Sequence, residues 1–137
     1  MEQITETLYL GAYVDTETAQ EAGIQTCVNL AERAYDHVLR VVHRPIPDEA
    51  VLPPIIWEGL LAQLRVALAC GPPVLVHCRL GVSRAPALVA FYLAKARRFP
   101  SPDAALAHLR TVRPCVNPHP ATWDGVLTTW KTSRGAP

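Results

Sequence analysis

The segment from Val74 to Pro86 places the tightest constraint on how this chain can fold. Residues 74–76 (Val-Leu-Val) are wholly apolar and lie between a proline pair and a polar cluster, which is typical of a strand buried on both faces. A loop containing Gly81 follows, and Pro86 stands where the first turn of a helix tolerates a residue without an N–H. The order of strand, short loop and helix predicts that this strand is the central one of a sheet.

Clusters of proline divide the rest of the chain into regular pieces. Strands are predicted at residues 8–10, 26–30 and 38–43. Helices are predicted at residues 16–22, 54–70 and 86–98, from a cap at Ser101 to residue 112, and in a last segment that carries Trp123, Val126, Leu127 and Trp130. Strands separated by helices, followed by a helical C-terminal half, predict an α/β domain with a small, mostly parallel central sheet flanked by helices.

Composition limits the classes of function. The 137 residues, half of them apolar, are enough for one domain over residues 1–137 with its own core. Thirteen basic residues against twelve acidic ones give a net charge of +1, so we expect no nucleic-acid or membrane partner, and any anion must be bound at one focal site. No helical stretch is long enough to span a bilayer, and no export signal precedes the first strand. We expect a cytoplasmic monomer.

Cysteine usage also favours a reducing compartment. The four cysteines form no CxxC pair and no dense disulfide framework, and they stand at positions Cys27, Cys70, Cys78 and Cys115. Cys78 differs from the others because it directly follows the predicted central strand. The other three are expected to be core thiols, although a disulfide formed by Cys78 with one of them is chemically feasible.

The loop after Cys78 has the features of an anion cradle. Backbone N–H groups of residues 79–84 can turn inward as a nest, and the following helix adds the positive end of its dipole. Gly81 permits a backbone conformation that a side chain would obstruct, and Arg84 offers a planar fork that matches two phosphoryl oxygens. The same field stabilises a thiolate, so Cys78 is expected to be a nucleophile at neutral pH with no metal or cofactor.

Each of these residues also has an ordinary structural interpretation. A single cysteine after an apolar strand is usually a packed core residue. His77 by itself would be a satisfied structural histidine, and Ser83 would be a helix cap. The joint pattern is far rarer than any of its parts, and it favours nucleophilic catalysis.

The motif resembles the signature of the cysteine-dependent protein tyrosine phosphatase superfamily, and in particular of small dual-specificity phosphatases. That signature is His-Cys, five residues and Arg, often written HCxxGxSR, and this chain has HCRLGVSR from His77 to Arg84. The resemblance extends to an opening strand at residues 4–11, a helix-to-strand passage at residues 22–30 and a general-acid loop at residues 44–48. It fades after Arg113.

The resemblance implies a two-step phosphatase reaction. Cys78 would attack phosphorus, Arg84 would hold the phosphoryl oxygens, and Asp48 would protonate the leaving oxygen before water hydrolyses the thiophosphate. Glu49 and Asp36 are alternative acids. Because the thiol must be ionised and the acid protonated, we expect a bell-shaped pH profile with a mildly acidic optimum. The substrate-binding residues implied by the motif are His77, Arg79, Leu80, Gly81, Val82 and Ser83.

The chain departs from the family pattern at two positions. Ala85 replaces the Ser or Thr that helps the cysteine leave, so slow breakdown of a phosphocysteine is expected unless Ser83 substitutes; Ser83 could cap the helix instead. Arg79 directly follows the cysteine, where the phosphoinositide-directed branch of the family often has a basic residue. That branch usually has a second lysine in the loop, and here the corresponding residue is Val82. Arg113 and His119 could reach the pocket rim, and His119 stands where the family often has asparagine.

The sequence therefore predicts a phosphatase for phosphotyrosine, and also for phosphoserine and phosphothreonine, acting on a phosphorylated protein or peptide. Within the same superfamily, a phosphoinositide or an RNA 5′-phosphate is an alternative substrate. Two alternatives belong to other classes, namely a phosphate-binding pseudophosphatase that acts as an interaction module, and a rhodanese-like sulfurtransferase.

Overall fold

The computed structural model describes residues 1–35 and 39–135. Within them the strands are β1 (Glu2–Gln3), β2 (Leu8–Ala12), β3 (Thr26–Asn29), β4 (Arg40–His43) and β5 (Val74–Cys78). The helices are α1 (Thr16–Glu21), α2 (Pro54–Cys70), α3 (Arg84–Lys95), α4 (Pro102–Val112) and α5 (Pro120–Gly135). The predicted α/β class with a flanked central sheet is thereby confirmed.

The five strands form one sheet in the order β1-β2-β5-β3-β4, with β5 in the middle. Only β1 runs antiparallel to its neighbour; β2, β3 and β4 are parallel to the strands they pair with. Ala12 of β2 pairs with Cys78, and Asn29 of β3 pairs with His77. The carboxyl ends of β2, β3 and β5 therefore meet at one edge, where α/β sheets commonly bind ligands.

Alternating side chains of the central strands supply two separate apolar layers. Val74 and Val76 belong to the large cluster that α2, α3, α4 and α5 cover, whereas Leu75 faces a small cluster that includes Ala19 of α1. All five residues of β5 are buried. Because both faces of the central strand are covered, its sequence is apolar throughout and its position at the centre is confirmed.

Most predicted elements are present, and local chemistry explains their limits. Helix α2 has the predicted bounds, with Pro54 at its first position. The Ser101 hydroxyl accepts the N–H of Ala104 at 3.1 Å, so the predicted cap of α4 is confirmed. The predicted strand at residues 38–43 is observed as Arg40–His43, and its first residue lies outside the described residues.

Helix α3 is displaced from its predicted bounds of 86–98. It begins at Arg84 because proline is tolerated anywhere in the first turn, whose N–H groups have no partner within the helix. It ends at Lys95 because Arg97 adopts a left-handed conformation, with φ of 60°. The N–H of Arg97 then bonds to Ala94 O and that of Arg98 to Leu93 O, which closes the helix.

The N-terminal strand also differs from the prediction. Residues 4–7 form a turn, since the N–H groups of Ile4 and Thr5 both donate to Leu8 O. The predicted strand at residues 4–11 is therefore reduced to β2, and the two-residue β1 was not predicted because so short a segment has no readable periodicity.

The helices of the described part of the chain include none that is both long and apolar enough to cross a membrane.

Candidate active site

Cys78 ends the central strand at the floor of a surface pocket of about 510 Å³. Its side chain is almost fully buried, with the residue 2% exposed, and its Sγ accepts the N–H of Ala85 at 3.4 Å. The first turn of α3 thus contacts the sulfur through this N–H. Backbone N–H groups at a helix start stabilise negative charge, which suits a thiolate or a bound phosphoryl group.

Gly81 gives the loop its shape. Its φ is +68°, and a Cβ at this position would lie 2.5 Å from the carbonyl carbon of Gly11 in β2. No other residue fits, because both the conformation and the contact exclude a side chain. Gly81 lies on the side of the loop that faces β2, and it does not line the pocket.

His77 lies below the loop and does not line the pocket. It is 1% exposed, and its ring packs at 6.0 Å from the ring of Tyr13 and 5.9 Å from that of Tyr35, measured between centroids. The structure thus places His77 where it can orient the cysteine strand rather than touch a ligand. Of the loop residues predicted to bind substrate, Arg79, Leu80, Val82 and Ser83 line the pocket.

Arg84 is held in a fixed orientation by three acceptors. Its Nη1 donates to Glu32 Oε1 at 2.6 Å and to Ile46 O at 3.0 Å, with Leu30 O at 3.4 Å. The side chain is 6% exposed, so this hydrogen-bonded guanidinium lies within the wall of the pocket. The arrangement orients the planar fork before any ligand arrives.

Glu32 is a site residue that the sequence reasoning missed. A hydrogen bond from its own N–H is the main cause that holds the pKa of Glu32 below its usual value; burial opposes this, and the charge of Arg84 adds to it. Its carboxylate remains 67% exposed at the pocket mouth. A signal existed, because Glu32 follows the carboxyl end of β3, which neighbours β5.

Asp48 lies across the pocket from the arginine and is tied to two hydroxyl groups. Ser83 Oγ donates to Asp48 Oδ1 at 2.7 Å, and Thr122 Oγ1 of α5 donates to the same oxygen at 2.8 Å. Burial by itself raises the pKa of Asp48, but these hydrogen bonds outweigh it, and the pKa is lowered overall. No motif or spacing in the sequence predicts the contact between Thr122 and Asp48.

Ser83 occupies the N-cap position of α3, but its side chain neither caps the helix nor contacts the cysteine. It makes no capping bond to α3; its hydroxyl accepts the N–H of His119 at 2.9 Å and donates to Asp48. A hydroxyl has one proton to donate, so the proton of Ser83 is directed away from Cys78. The hydrogen bond that the structure shows to the sulfur of Cys78 therefore comes from the backbone N–H of Ala85 and not from Ser83.

Two segments after α4 support the loop from outside. Arg113 donates to Gly81 O at 3.0 Å and to Leu80 O at 2.9 Å, and it pairs with Glu2 at 3.0 Å. Arg113 thus braces the back of the loop instead of reaching the pocket rim. His119 does reach the pocket, while its Nδ1 accepts the N–H of Ala121 at the start of α5.

The pocket lining carries charges of both signs. Glu32, Asp48 and Glu49 are acidic, whereas Arg79 and Arg84 are basic. Arg79 is exposed, and Glu49 lies beside Asp48 at the rim. Asp36, the other alternative acid, lies outside the described residues. No group of three or more His, Cys, Asp or Glu side chains within residues 1–35 and 39–135 could hold a metal ion.

A mostly parallel sheet with a cysteine at the end of its central strand, a short glycine-containing loop, and an arginine at the next helix start define the cysteine-dependent phosphatase class. The family model "Dual specificity phosphatase, catalytic domain" matches residues 8–132 of this chain. The chain therefore belongs to the dual-specificity phosphatase family, as the resemblance predicted.

Comparisons with individual proteins agree with this assignment. The chain is 36% identical over 83 residues to protein phosphatase Slingshot homolog 3 of Rattus norvegicus, a match that covers 56% of this chain and 13% of that protein. The chain thus spans a small part of the length of the curated relatives it matches. The crystal structure of human DUSP28 superimposes with a TM-score of 0.86 at 22% identity, over 100% of both chains.

A second solved structure shares the fold. PTPMT1 in complex with PI(5)P has a TM-score of 0.81 at 20% identity and covers 98% of this chain and 97% of that one. At these identities both structural matches show a common fold and no more.

Proposed function

We propose that this chain is a phosphatase domain that hydrolyses phosphotyrosine, and also phosphoserine and phosphothreonine, in proteins or peptides. The observation that carries the proposal is the joint placement of Cys78, Arg84 and Asp48 around one pocket, with the sulfur facing a backbone N–H at 3.4 Å. Cys78 and Arg84 lie at the two ends of one short loop, whereas Asp48 comes from a separate segment 30 residues earlier, and nothing about core packing requires it to meet them.

In the first step, the Cys78 thiolate attacks phosphorus and a sulfur–phosphorus bond forms. The bond from phosphorus to the leaving oxygen breaks, and that oxygen takes a proton from Asp48. Arg84 and the N–H groups of the loop stabilise the charge on the phosphoryl oxygens. Glu32 acts through Arg84 by holding the guanidinium in place.

In the second step, water attacks phosphorus and the sulfur–phosphorus bond breaks. Asp48, now ionised, takes a proton from that water, and the thiolate is restored. Since Ala85 has no hydroxyl and the proton of Ser83 points to Asp48, only weak donors assist the departing sulfur. This step is therefore proposed to limit turnover.

Hydrolysis of p-nitrophenyl phosphate and of a panel of phosphopeptides by three proteins tests the proposal. Cys78→Ser should abolish turnover of every substrate, because an alkoxide is not available at neutral pH. Asp48→Asn should lower activity by roughly a hundredfold or more on phosphoserine peptides, whose leaving group needs a proton. It should affect p-nitrophenyl phosphate much less. Equal activity of Cys78→Ser and the unmodified protein would exclude the mechanism.

The charge at the pocket mouth disfavours the phosphoinositide alternative. Arg79 favours an extra phosphate, and PTPMT1, which binds PI(5)P in its crystal structure, shares the fold. However, the exposed carboxylates of Glu32 and Glu49 repel a second phosphate, and Val82 supplies no charge. Faster turnover of a phosphoinositide or an RNA 5′-phosphate than of any phosphopeptide would reverse this order.

Two remaining alternatives fit the molecule less well. A pseudophosphatase has no need of a nucleophile, yet Cys78 and Arg84 are both present and line the same pocket, which supports an enzyme. Tight vanadate binding without turnover of any aryl phosphate would revive it. The sulfurtransferase alternative is disfavoured because the family model that matches the chain is that of a phosphatase catalytic domain.

A further inference from the structure

A second pocket, larger than the first, lies at the opposite end of α3 from the catalytic loop. It has a volume of about 660 Å³, and its lining includes Lys95, Arg97, Arg98, Phe99 and Trp130. A hollow of about 370 Å³ adjoins it, since Arg98 and Phe99 line both, and His108 lies at its far side. We call the two together the basic groove. Twelve helical residues place it about 18 Å from the catalytic loop.

The charge of the groove is of one sign. Three cations lie within four consecutive residues, and no Asp or Glu of the described part of the chain lines either hollow. Arg97 and Arg98 are exposed, and among the described residues neither takes part in an ion pair. The active-site pocket, by contrast, is lined by three carboxylates. With a net charge of only +1, the chain thus concentrates positive charge here.

Lys95 and the aromatic residues form a firm wall. Lys95 Nζ bonds to Ser133 Oγ, and it lies 5.7 Å from the ring centroid of Trp130 and 5.8 Å from that of Phe91. Phe99 is half-buried and packs against His108 at 5.0 Å between centroids. The wall therefore offers aromatic surface next to the free guanidinium groups of Arg97 and Arg98.

The backbone conformation of Arg97 indicates that its side chain has a role other than closing the helix. A left-handed residue directly after a helix is usually glycine, because a side chain raises its energy in that conformation. Here the position is occupied by an exposed arginine with φ of 60°. Glycine would suit helix closure better, so closure alone does not account for the arginine.

We propose that the basic groove binds an extended acidic peptide segment of a partner protein. Its two adjoining hollows, which share Arg98 and Phe99, match an extended chain better than a single small anion, and its charge complements aspartate and glutamate side chains. A bilayer surface fits less well, because stable binding to a membrane surface combines basic residues with exposed apolar side chains that insert into it. The large exposed apolar residues, Val51, Ile55, Val66 and Leu80, are all outside the groove.

The test is fluorescence anisotropy with a fluorescein-labelled, unphosphorylated peptide of Asp, Glu and Leu residues. The unmodified protein should bind it, and binding should weaken as salt rises. Arg97→Glu with Arg98→Glu should weaken binding about tenfold or more. The matched control is Arg40→Glu with Arg65→Glu, which makes the same change in net charge at exposed positions outside the groove and should leave binding within about threefold.

A third variant separates binding from folding. Arg97→Gly removes one charge and relieves the left-handed conformation, so it should raise the melting temperature while it weakens peptide binding. A purely structural role for Arg97 cannot produce both changes. Hydrolysis of p-nitrophenyl phosphate should be unchanged in all these variants, which keeps this result independent of the proposed phosphatase function.

Several results would overturn the proposal. These are absence of peptide binding by the unmodified protein, equal losses in the groove and control pairs, or a loss caused by Arg79→Glu and not by the groove pair. Vesicles of phosphatidylserine and phosphatidylcholine form the second arm. Groove-dependent binding of vesicles without binding of the peptide would identify a lipid surface as the ligand instead.

Discussion

Asp48 is the single residue whose surroundings most affect the proposed chemistry. A general acid must carry a proton, yet Ser83 and Thr122 both donate to the same carboxylate oxygen. Burial favours the protonated form, and the hydrogen bonds overcome it, so the pKa of Asp48 is lowered. The fraction of enzyme with a protonated acid therefore falls as the pH rises above that lowered pKa. This keeps the expected optimum acidic.

Replacing Thr122 by valine tests this effect without touching the loop. Thr122→Val keeps the shape of the side chain and removes one donor to the carboxylate, so the pKa of Asp48 should rise. The fall of kcat/KM at higher pH, measured on a phosphoserine peptide, should then move to higher pH. The matched control is Thr129→Val, because Thr129 is also buried in α5 but donates to Gly125 O, away from the pocket. A profile that moves equally in both variants would contradict the role given to Thr122.

Ala85 determines the proposed rate-limiting step. Ala85→Ser would place a hydroxyl beside Cys78 Sγ, since the backbone N–H of residue 85 already contacts that sulfur. A donor to the departing thiolate should raise kcat roughly tenfold and remove the burst of p-nitrophenol that is expected of the unmodified protein before the steady state. Rapid-mixing absorbance measures both quantities. A time course without a burst in the unmodified protein would show that phosphorylation of the cysteine limits turnover.

At the scale of elements, the site depends on how α5 and the segment before it are attached. The N–H of Asn117 bonds to Val82 O at 2.8 Å, and that of His119 bonds to Ser83 Oγ. With the contact of Thr122 to Asp48, these bonds join the C-terminal helix to both loops of the pocket. The packing of α5 against α2 therefore bears on the geometry of the site.

Two helical glycines allow that packing to be tested, because replacing them by alanine should change the free energy of unfolding in opposite directions. Alanine normally stabilises a helix by about 1 kcal/mol relative to glycine, and Gly59→Ala in α2 should do so because nothing lies within 4 Å of its added Cβ. Gly125→Ala in α5 should instead destabilise by about 1–3 kcal/mol. Its Cβ would lie 2.8 Å from Trp57 Nε1 and 3.0 Å from Leu52 O. Urea unfolding of both variants measures the difference, and stabilisation by Gly125→Ala would show that α5 packs more loosely than described.

At the scale of the whole molecule, the reactivity of the cysteines measures how often the protein unfolds. Cys27 is fully buried in the small cluster between the sheet and α1, and burial raises its pKa to about 11. Cys70 and Cys115 are exposed, so the expectation of a core thiol is correct for Cys27 and wrong for these two. Access to Cys27 therefore requires unfolding, while the two exposed thiols react in the native state.

Alkylation by iodoacetamide at pH 8, in a Cys78→Ser background, should distinguish these classes. Mass spectrometry should find Cys70 and Cys115 modified first and Cys27 protected. The rate at Cys27 should increase with Gly125→Ala and decrease with Gly59→Ala, because it follows the free energy of unfolding. Rapid modification of Cys27 in the native protein would contradict the burial described for the small cluster.

The sequence alone determined the class of the fold and the centre of the site. The short apolar run of β5, bounded by prolines and polar residues, is typical of a strand covered on both faces, and the spacing of Cys78, Gly81 and Arg84 expresses local geometry that a short loop enforces. Such features depend on neighbours along the chain. Helix α2 and the cap at Ser101 were predictable for the same reason.

Only the tertiary structure decided which distant residues meet the loop. Glu32 holds Arg84 from a neighbouring strand end, Thr122 reaches Asp48 across 74 residues, and Arg113 braces Gly81 from 32 residues away. The serine that local rules assign to a helix cap is drawn instead to a carboxylate. Local propensity cannot anticipate these contacts, because each one exists only where separate segments pack together.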